Sequence, residues 1–181
     1  MSTNTIRIRQ LVAVRDEEAE ANSEGAASTS IETIAYWAIV ASIYMGFGFL
    51  WYYSFKEKLF DDGGTMPAGL AKAYAGSFVD SFPGLNATWT ILGIVEAIAF
   101  VGFIASILTG EFLPTRRKPI LVASLGVSLI TFALLVFGQE LTGEFEGVAE
   151  AFGYFGATVV TLLLVQILPP RRGIWKALSD R

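Results

Sequence analysis

The stretch Trp89-Thr90-Ile91-Leu92-Gly93-Ile94-Val95-Glu96-Ala97-Ile98-Ala99-Phe100-Val101-Gly102-Phe103-Ile104-Ala105-Ser106-Ile107-Leu108 holds a single charged residue. About twenty residues at 1.5 Å rise cross a hydrocarbon core of about 30 Å. Three further runs share this character, at about 34–55, 120–138 and 151–168. None alternates in the manner of a β-barrel strand. Pro119 precedes the third run, and Pro169-Pro170 stops the fourth. The expected fold class is all-α, an integral membrane four-helix bundle with a short interfacial helix in the first outer loop. Residues 1–30 are expected to form a polar cytoplasmic N-terminal tail, and 31–181 the four-transmembrane-helix domain.

Composition agrees with this reading. Of 181 residues, 53% are hydrophobic and only 17% charged, against about 25% charged in an ordinary soluble domain. The chain has no Cys and no His. Disulfides, thiolate metal sites, iron–sulfur clusters, the Ser-His-Asp triad and ordinary haem ligation are thereby excluded. No catalytic residue and no metal ligand is assigned. No Gly-rich phosphate loop or nucleic-acid-binding patch is present, so nucleic acid is not an expected partner.

The basic residues set the orientation. Arg7, Arg9 and Arg15 precede the first run, Arg116, Arg117 and Lys118 lie between the second and third, and Arg171, Arg172, Lys176 and Arg181 follow the fourth. The other two loops hold only Lys56, Lys58 and Lys72. Ten basic residues against three place both termini in the cytoplasm. The loop after the third run carries Glu140, Glu144, Glu146 and Glu150, an acidic outer rim. Aromatic residues mark the interfaces: Tyr36 and Trp37 at the inner end of the first run, and Trp51, Tyr52, Tyr53 and Trp89 at the outer face. The C-terminal tail, with Trp175 on an apolar patch, is expected to lie along the inner surface. The N-terminal tail is read as solvated, with a docking arm as the alternative, and not as a signal peptide.

The loop between the first two runs is the longest. Pro67 opens a helix expected to reach from Ala68 to Phe82, with Leu70, Tyr74, Phe78 and Phe82 on one face. A lid over the bundle and simple interfacial packing both fit that helix. Asn86-Ala87-Thr88 matches a glycosylation sequon by chance. Small residues recur at fourfold spacing, as in Ala38, Ser42 and Gly46, or Gly102 and Ser106, or Ser124 and Ser128, or Gly153 and Ala157. Such stripes let helices approach closely.

Glu96 is the residue that asks for an explanation. It lies roughly 10 Å below the outer interface by helical rise, where a carboxylate is costly unless paired, protonated or wetted. Lys56 and Lys58 end the first run on the same side, and their stems could bring an ammonium down to it. A structural ion pair locking the first two spans is one reading. The other is a polar pocket that binds a ligand headgroup or relays a proton, with Tyr52, Tyr44 and the lid helix lining it. Such a pocket is expected to open outward between spans one and two. Gln139, Glu140 and Gln166 are read as residues of span ends.

The runs Gly46-Phe47-Gly48-Phe49-Leu50-Trp51-Tyr52-Tyr53-Ser54-Phe55-Lys56-Glu57-Lys58-Leu59-Phe60 and Leu92-Gly93-Ile94-Val95-Glu96-Ala97-Ile98-Ala99-Phe100-Val101-Gly102 resemble the DoxX/DoxD superfamily of small four-helix membrane proteins. That family tends to have a Gly-rich first span ending in a Lys-Leu or Lys-Phe pair, and a Glu within a Gly- and Ala-rich second span. The resemblance covers residues 35–110. Two lysines compete here for the family's single position. The resemblance implies a non-catalytic subunit of a respiratory or redox, quinone-linked complex in the plasma membrane of a prokaryote. Its partners would be membrane lipids and other membrane subunits. Without His or Cys, such a subunit is expected to hold no covalent or metal cofactor, but a quinone or lipid near Glu96. The alternatives are a structural or assembly accessory subunit, and a small oligomeric transporter or channel.

Overall fold

The computed structural model describes residues 32–143 and 145–167. The two tails read above lie outside the described residues, apart from Glu32 onward. Six helices follow in order: α1 (Glu32–Asp61), α2 (Ala68–Tyr74), α3 (Phe78–Ser81), α4 (Leu85–Leu108), α5 (Pro119–Thr142) and α6 (Phe145–Ile167). No strand occurs among the described residues. Four of the helices, α1, α4, α5 and α6, are long and apolar enough to cross a membrane.

The chain divides into two compact units, Met1–Ala41 and Ser42–Arg181. In the first, Tyr36 and Trp37 meet edge to face at 5.4 Å. In the second, α5 is the central helix. It packs along both α4 and α6 and also meets α2. Trp51 of α1 packs at a tilt on Phe132 of α5 at 5.0 Å, and Phe132 stacks in turn on Tyr154 of α6 at 5.7 Å. Phe47 of α1 stacks on Phe103 of α4 at 5.4 Å.

Polarity is distributed against the habit of a water-soluble bundle. The buried positions include Lys58, Glu96, Ser106, Ser124, Ser128, Thr131 and Thr158. The exposed ones include Ile98, Val101, Leu108 and Ile130. In the most apolar stretch of each long helix, only 17% to 33% of residues are buried. Monomeric soluble proteins rarely expose so many large apolar side chains together. The hydroxyls of these buried residues donate within their own helices, as where Ser128 Oγ donates to Ser124 O at 2.9 Å and Thr158 Oγ1 to Tyr154 O at 2.7 Å.

The helices run longer than the apolar stretches alone indicate. α1 continues six residues past Phe55, and α5 runs on to Thr142 and α6 starts at Phe145, within the loop expected after Gly138. Gln and Glu are good helix formers, so Gln139, Glu140, Glu146 and Glu150 extend the helices rather than breaking them. Gly143, at φ 71°, ends α5 in the left-handed conformation that favours glycine, and its N–H caps the Gln139 and Glu140 carbonyls.

The single helix expected from Ala68 to Phe82 is instead two, α2 and α3. Gly76 adopts φ +78° and breaks the helix, and its N–H donates to Asp80 Oδ2 at 2.9 Å. The break resets the helical phase. Leu70 and Tyr74 turn toward the bundle, while Phe78 and Phe82 are exposed and Val79 is buried in their place. The small-residue stripes also divide. A Cβ at Gly102 would collide with Ser124 Oγ, so that approach needs glycine, whereas Gly46 and Gly153 face open space.

Candidate functional site

The site starts in the last turn of α1. Residues Glu57–Asp61 form a π-helical turn, in which Asp62 N donates to Glu57 O, five residues back, at 2.8 Å. Such widened turns re-aim side chains and recur at functional positions. Lys58 sits in this turn and is buried. Gly93 of α4 makes room for it: a Cβ at Gly93 would stand 3.0 Å from Lys58 Cβ and 2.9 Å from Leu59 Cδ2.

Lys58 Nζ lies 3.2 Å from Glu96 Oε1. It also donates to Ser54 Oγ at 3.0 Å and sits 4.7 Å from the Trp89 ring centroid. Glu96 is 0% exposed. Neither of its oxygens accepts a directed hydrogen bond from a described residue, although Lys58 is within contact distance. The ion pair therefore rests on charge more than on alignment. Cation–π attraction to the indole adds to it, and is strongest where the cation is desolvated.

Beside this pair lies a cavity of about 400 Å³, within the usual range for small-molecule sites. Its walls come from five helices and the loop after the first: Lys58, then Met66, then Leu70 and Tyr74, then Val79, then Trp89 and Leu92, then Leu134. Lys58 is the one charged residue among the described lining residues, and Glu96 stands behind it, off the wall. The segment covering the cavity is tied down by Met66 N donating to Asn86 Oδ1 at 3.0 Å, Trp89 Nε1 to Asp62 Oδ2 at 3.2 Å, and Thr90 Oγ1 to Gly64 O at 3.1 Å. Gly64, at φ +77°, leaves no room for a side chain: a Cβ there would stand 2.7 Å from Thr90 Oγ1.

Of the five residues singled out from the sequence, the fold brings Lys58 and Glu96 together and sends the other three elsewhere. Lys56, two positions earlier, points to another face and pairs with exposed Asp61 at 2.6 Å. Tyr44 and Tyr52 line a separate, more open groove with Met45, Phe49 and Phe100. There Tyr44 OH accepts from Ser106 Oγ at 3.0 Å, and Tyr52 packs on Phe100 at 5.6 Å. That groove lies between spans one and two and holds both tyrosines, but Lys58 and Glu96 are not among its described lining residues. The cavity beside the ion pair is walled by Lys58 of α1 together with residues of α2, α3, α4 and α5. Tyr74, on the helix expected as a lid, belongs to it, as do Trp89 and Gln139, which the sequence marks only as an interface and a span-end residue. Glu140 and Gln166 are exposed.

A second buried carboxylate, Glu111, occupies the loop between α4 and α5. Its Oε1 accepts from Ile120 N at 3.0 Å and its Oε2 from Leu121 N at 2.7 Å, so it caps the N-terminus of α5. Lys118 Nζ donates to the carbonyls of Glu111 and Leu113. Burial pushes Lys118 below the ordinary lysine value, and the Glu111 charge opposes that shift. Lys118 is thus part of a loop-closing cluster as well as of the basic run. Nothing in the spacing of Glu111 had marked it out.

The chain matches no family model, no curated protein and no solved structure.

Proposed function

We propose that this chain is a four-span membrane protein, with both termini cytoplasmic, that serves as a non-catalytic subunit of a quinone-linked redox complex. In this reading it holds a quinone or lipid in the cavity beside Lys58 and Glu96. The observation that carries the reading is an apolar cavity of about 400 Å³ with one ammonium on its wall. Apolar walls take an isoprenoid or acyl chain, and the few polar groups fix the head. Lys58 supplies donors to a carbonyl oxygen. The four long apolar helices and the buried polar residues support the membrane setting. The redox half of the proposal rests on the resemblance in residues 35–110 and on the prokaryotic plasma membrane it implies. Having no His or Cys, the chain would leave electron-carrying centres to its partners.

A purely structural role for the pair has its own support. Gly93 brings α1 and α4 close, and Lys58 reaches Ser54, Glu96 and Trp89 at once. Purification from native membranes separates the possibilities. The proposal expects stoichiometric flavoprotein or cytochrome subunits, with quinone-linked activity falling in Lys58→Met while the complex stays assembled. A self-contained oligomer with no redox partner contradicts it. Full activity in an assembled Lys58→Met complex leaves the pair structural.

A further inference from the structure

The cavity wall carries a cation whose charge is already spent. Lys58 is the only charged residue among the described lining residues. Its ammonium stands 3.2 Å from the carboxylate of Glu96, which is fully buried behind the wall. We infer that Glu96 is the specificity-determining residue of the cavity, making it select a neutral amphiphile with a carbonyl head and reject an anionic one. This deepens the reading of the cavity as a ligand site and rests on it.

The chemistry is direct. A carbonyl oxygen accepts from the ammonium while the Lys58–Glu96 attraction is retained. A carboxylate head would have to leave water for an apolar cavity and then share one cation with a second buried anion. Two carboxylates around one ammonium leave a net negative charge with no second cation on the described wall. Like-charge juxtaposition of this kind is what suppresses wrong partners. Glu96 touches no ligand in this account. It acts through Lys58, by cancelling its charge and holding it against Trp89. The groove lined by Tyr44 and Tyr52 has no charged residue among its described lining residues, so it offers no basis for such selectivity.

The test uses two probes that differ only in the head: a diazirine-bearing dodecanoate and its methyl ester. The full chain is reconstituted in lipid nanodiscs at a pH well above the ordinary carboxylic acid range. Photolabelling of cavity residues Leu92 and Leu134 is read by peptide mass spectrometry and normalised to labelling of exposed Val101, which corrects for partition into lipid. In the wild type, the ester labels the cavity at concentrations at least roughly tenfold lower than the carboxylate, a free-energy difference of about 1.4 kcal/mol. In Glu96→Gln, Lys58 becomes a free cation, and the preference disappears or reverses. Adding Lys58→Met to that variant removes the gain in carboxylate labelling. An equal or stronger carboxylate signal in the wild type overturns the inference, as does an unchanged preference in a folded Glu96→Gln protein. In either case the cavity would still be a ligand site. If neither probe labels Leu92 or Leu134 saturably, the cavity reading itself fails, and the inference with it. The wild-type comparison stands even if Glu96→Gln does not fold.

Discussion

Replacing Lys58 by Met strands the Glu96 carboxylate inside the bundle, and the size of the loss follows from the geometry. At 3.2 Å the pair attraction is about 5 kcal/mol for an effective dielectric of about 20. Breaking a buried pair on one side typically costs about 3–5 kcal/mol, because the remaining charge is left uncompensated. Removing both charges is different: a buried pair replaced by apolar groups of similar volume is often neutral or stabilising. Lys58→Met should therefore lower the unfolding midpoint by roughly 6–20 °C, taking about 2–4 °C per kcal/mol for a chain of this size. The double variant Lys58→Met/Glu96→Leu should recover most of that loss. Thermal unfolding in detergent, followed by circular dichroism across the four-member cycle, gives the coupling directly. A single variant within about 1 kcal/mol of wild type would show that the pair is screened. Strictly additive losses would show that the two residues do not depend on each other, and the account of the site would fail.

Three other outcomes follow from packing and capping. Gly102→Val should destabilise by about 1–3 kcal/mol, because its Cβ meets Ser124 Oγ, and the companion change Ser124→Ala should return part of the loss in the same unfolding assay. Trp51→Phe should cost about 1 kcal/mol beyond its lost area by removing the donor to Ser128, whose hydroxyl accepts from Trp51 Nε1 at 2.9 Å and keeps only its own bond to Ser124 O, and a Trp51→Phe/Ser128→Ala cycle checks this. Glu111→Ala should cost about 1–3 kcal/mol by freeing the N–H groups of Ile120 and Leu121, with faster hydrogen exchange confined to the first turn of α5.

The four long helices were legible because each apolar run is long enough to declare itself without tertiary information. Their ends were not. α1 passes Phe55 because Lys58 finds a counter-charge on α4, and that pairing is invisible from α1 alone. The choice between Lys56 and Lys58 has the same character. Two positions on a helix face different directions, so only the packing of α1 on α4 decides which lysine reaches Glu96. Gly93 was the usable clue, a missing side chain one turn before the carboxylate. Which pocket the tyrosines line was hidden for a similar reason. Tyr44 and Tyr52 lie on an α1 face turned toward Phe100, and aromatic character does not reveal facing. The break at Gly76 was available from the sequence but was overridden by the fourfold spacing of Leu70, Tyr74, Phe78 and Phe82. Glu111 was hidden because an acidic residue in a polar loop looks solvated until the helix it caps is in place.

The central claim is that the cavity beside Lys58 and Glu96 holds a neutral amphiphile such as a quinone or lipid. Protein purified from its native membrane, extracted with organic solvent and analysed by mass spectrometry, tests this most directly. The account predicts a neutral carbonyl-bearing amphiphile at about one per chain in the wild type, lost on filling the cavity with Leu92→Trp. An equal yield of the same molecule from wild type and from a folded Leu92→Trp protein would contradict it.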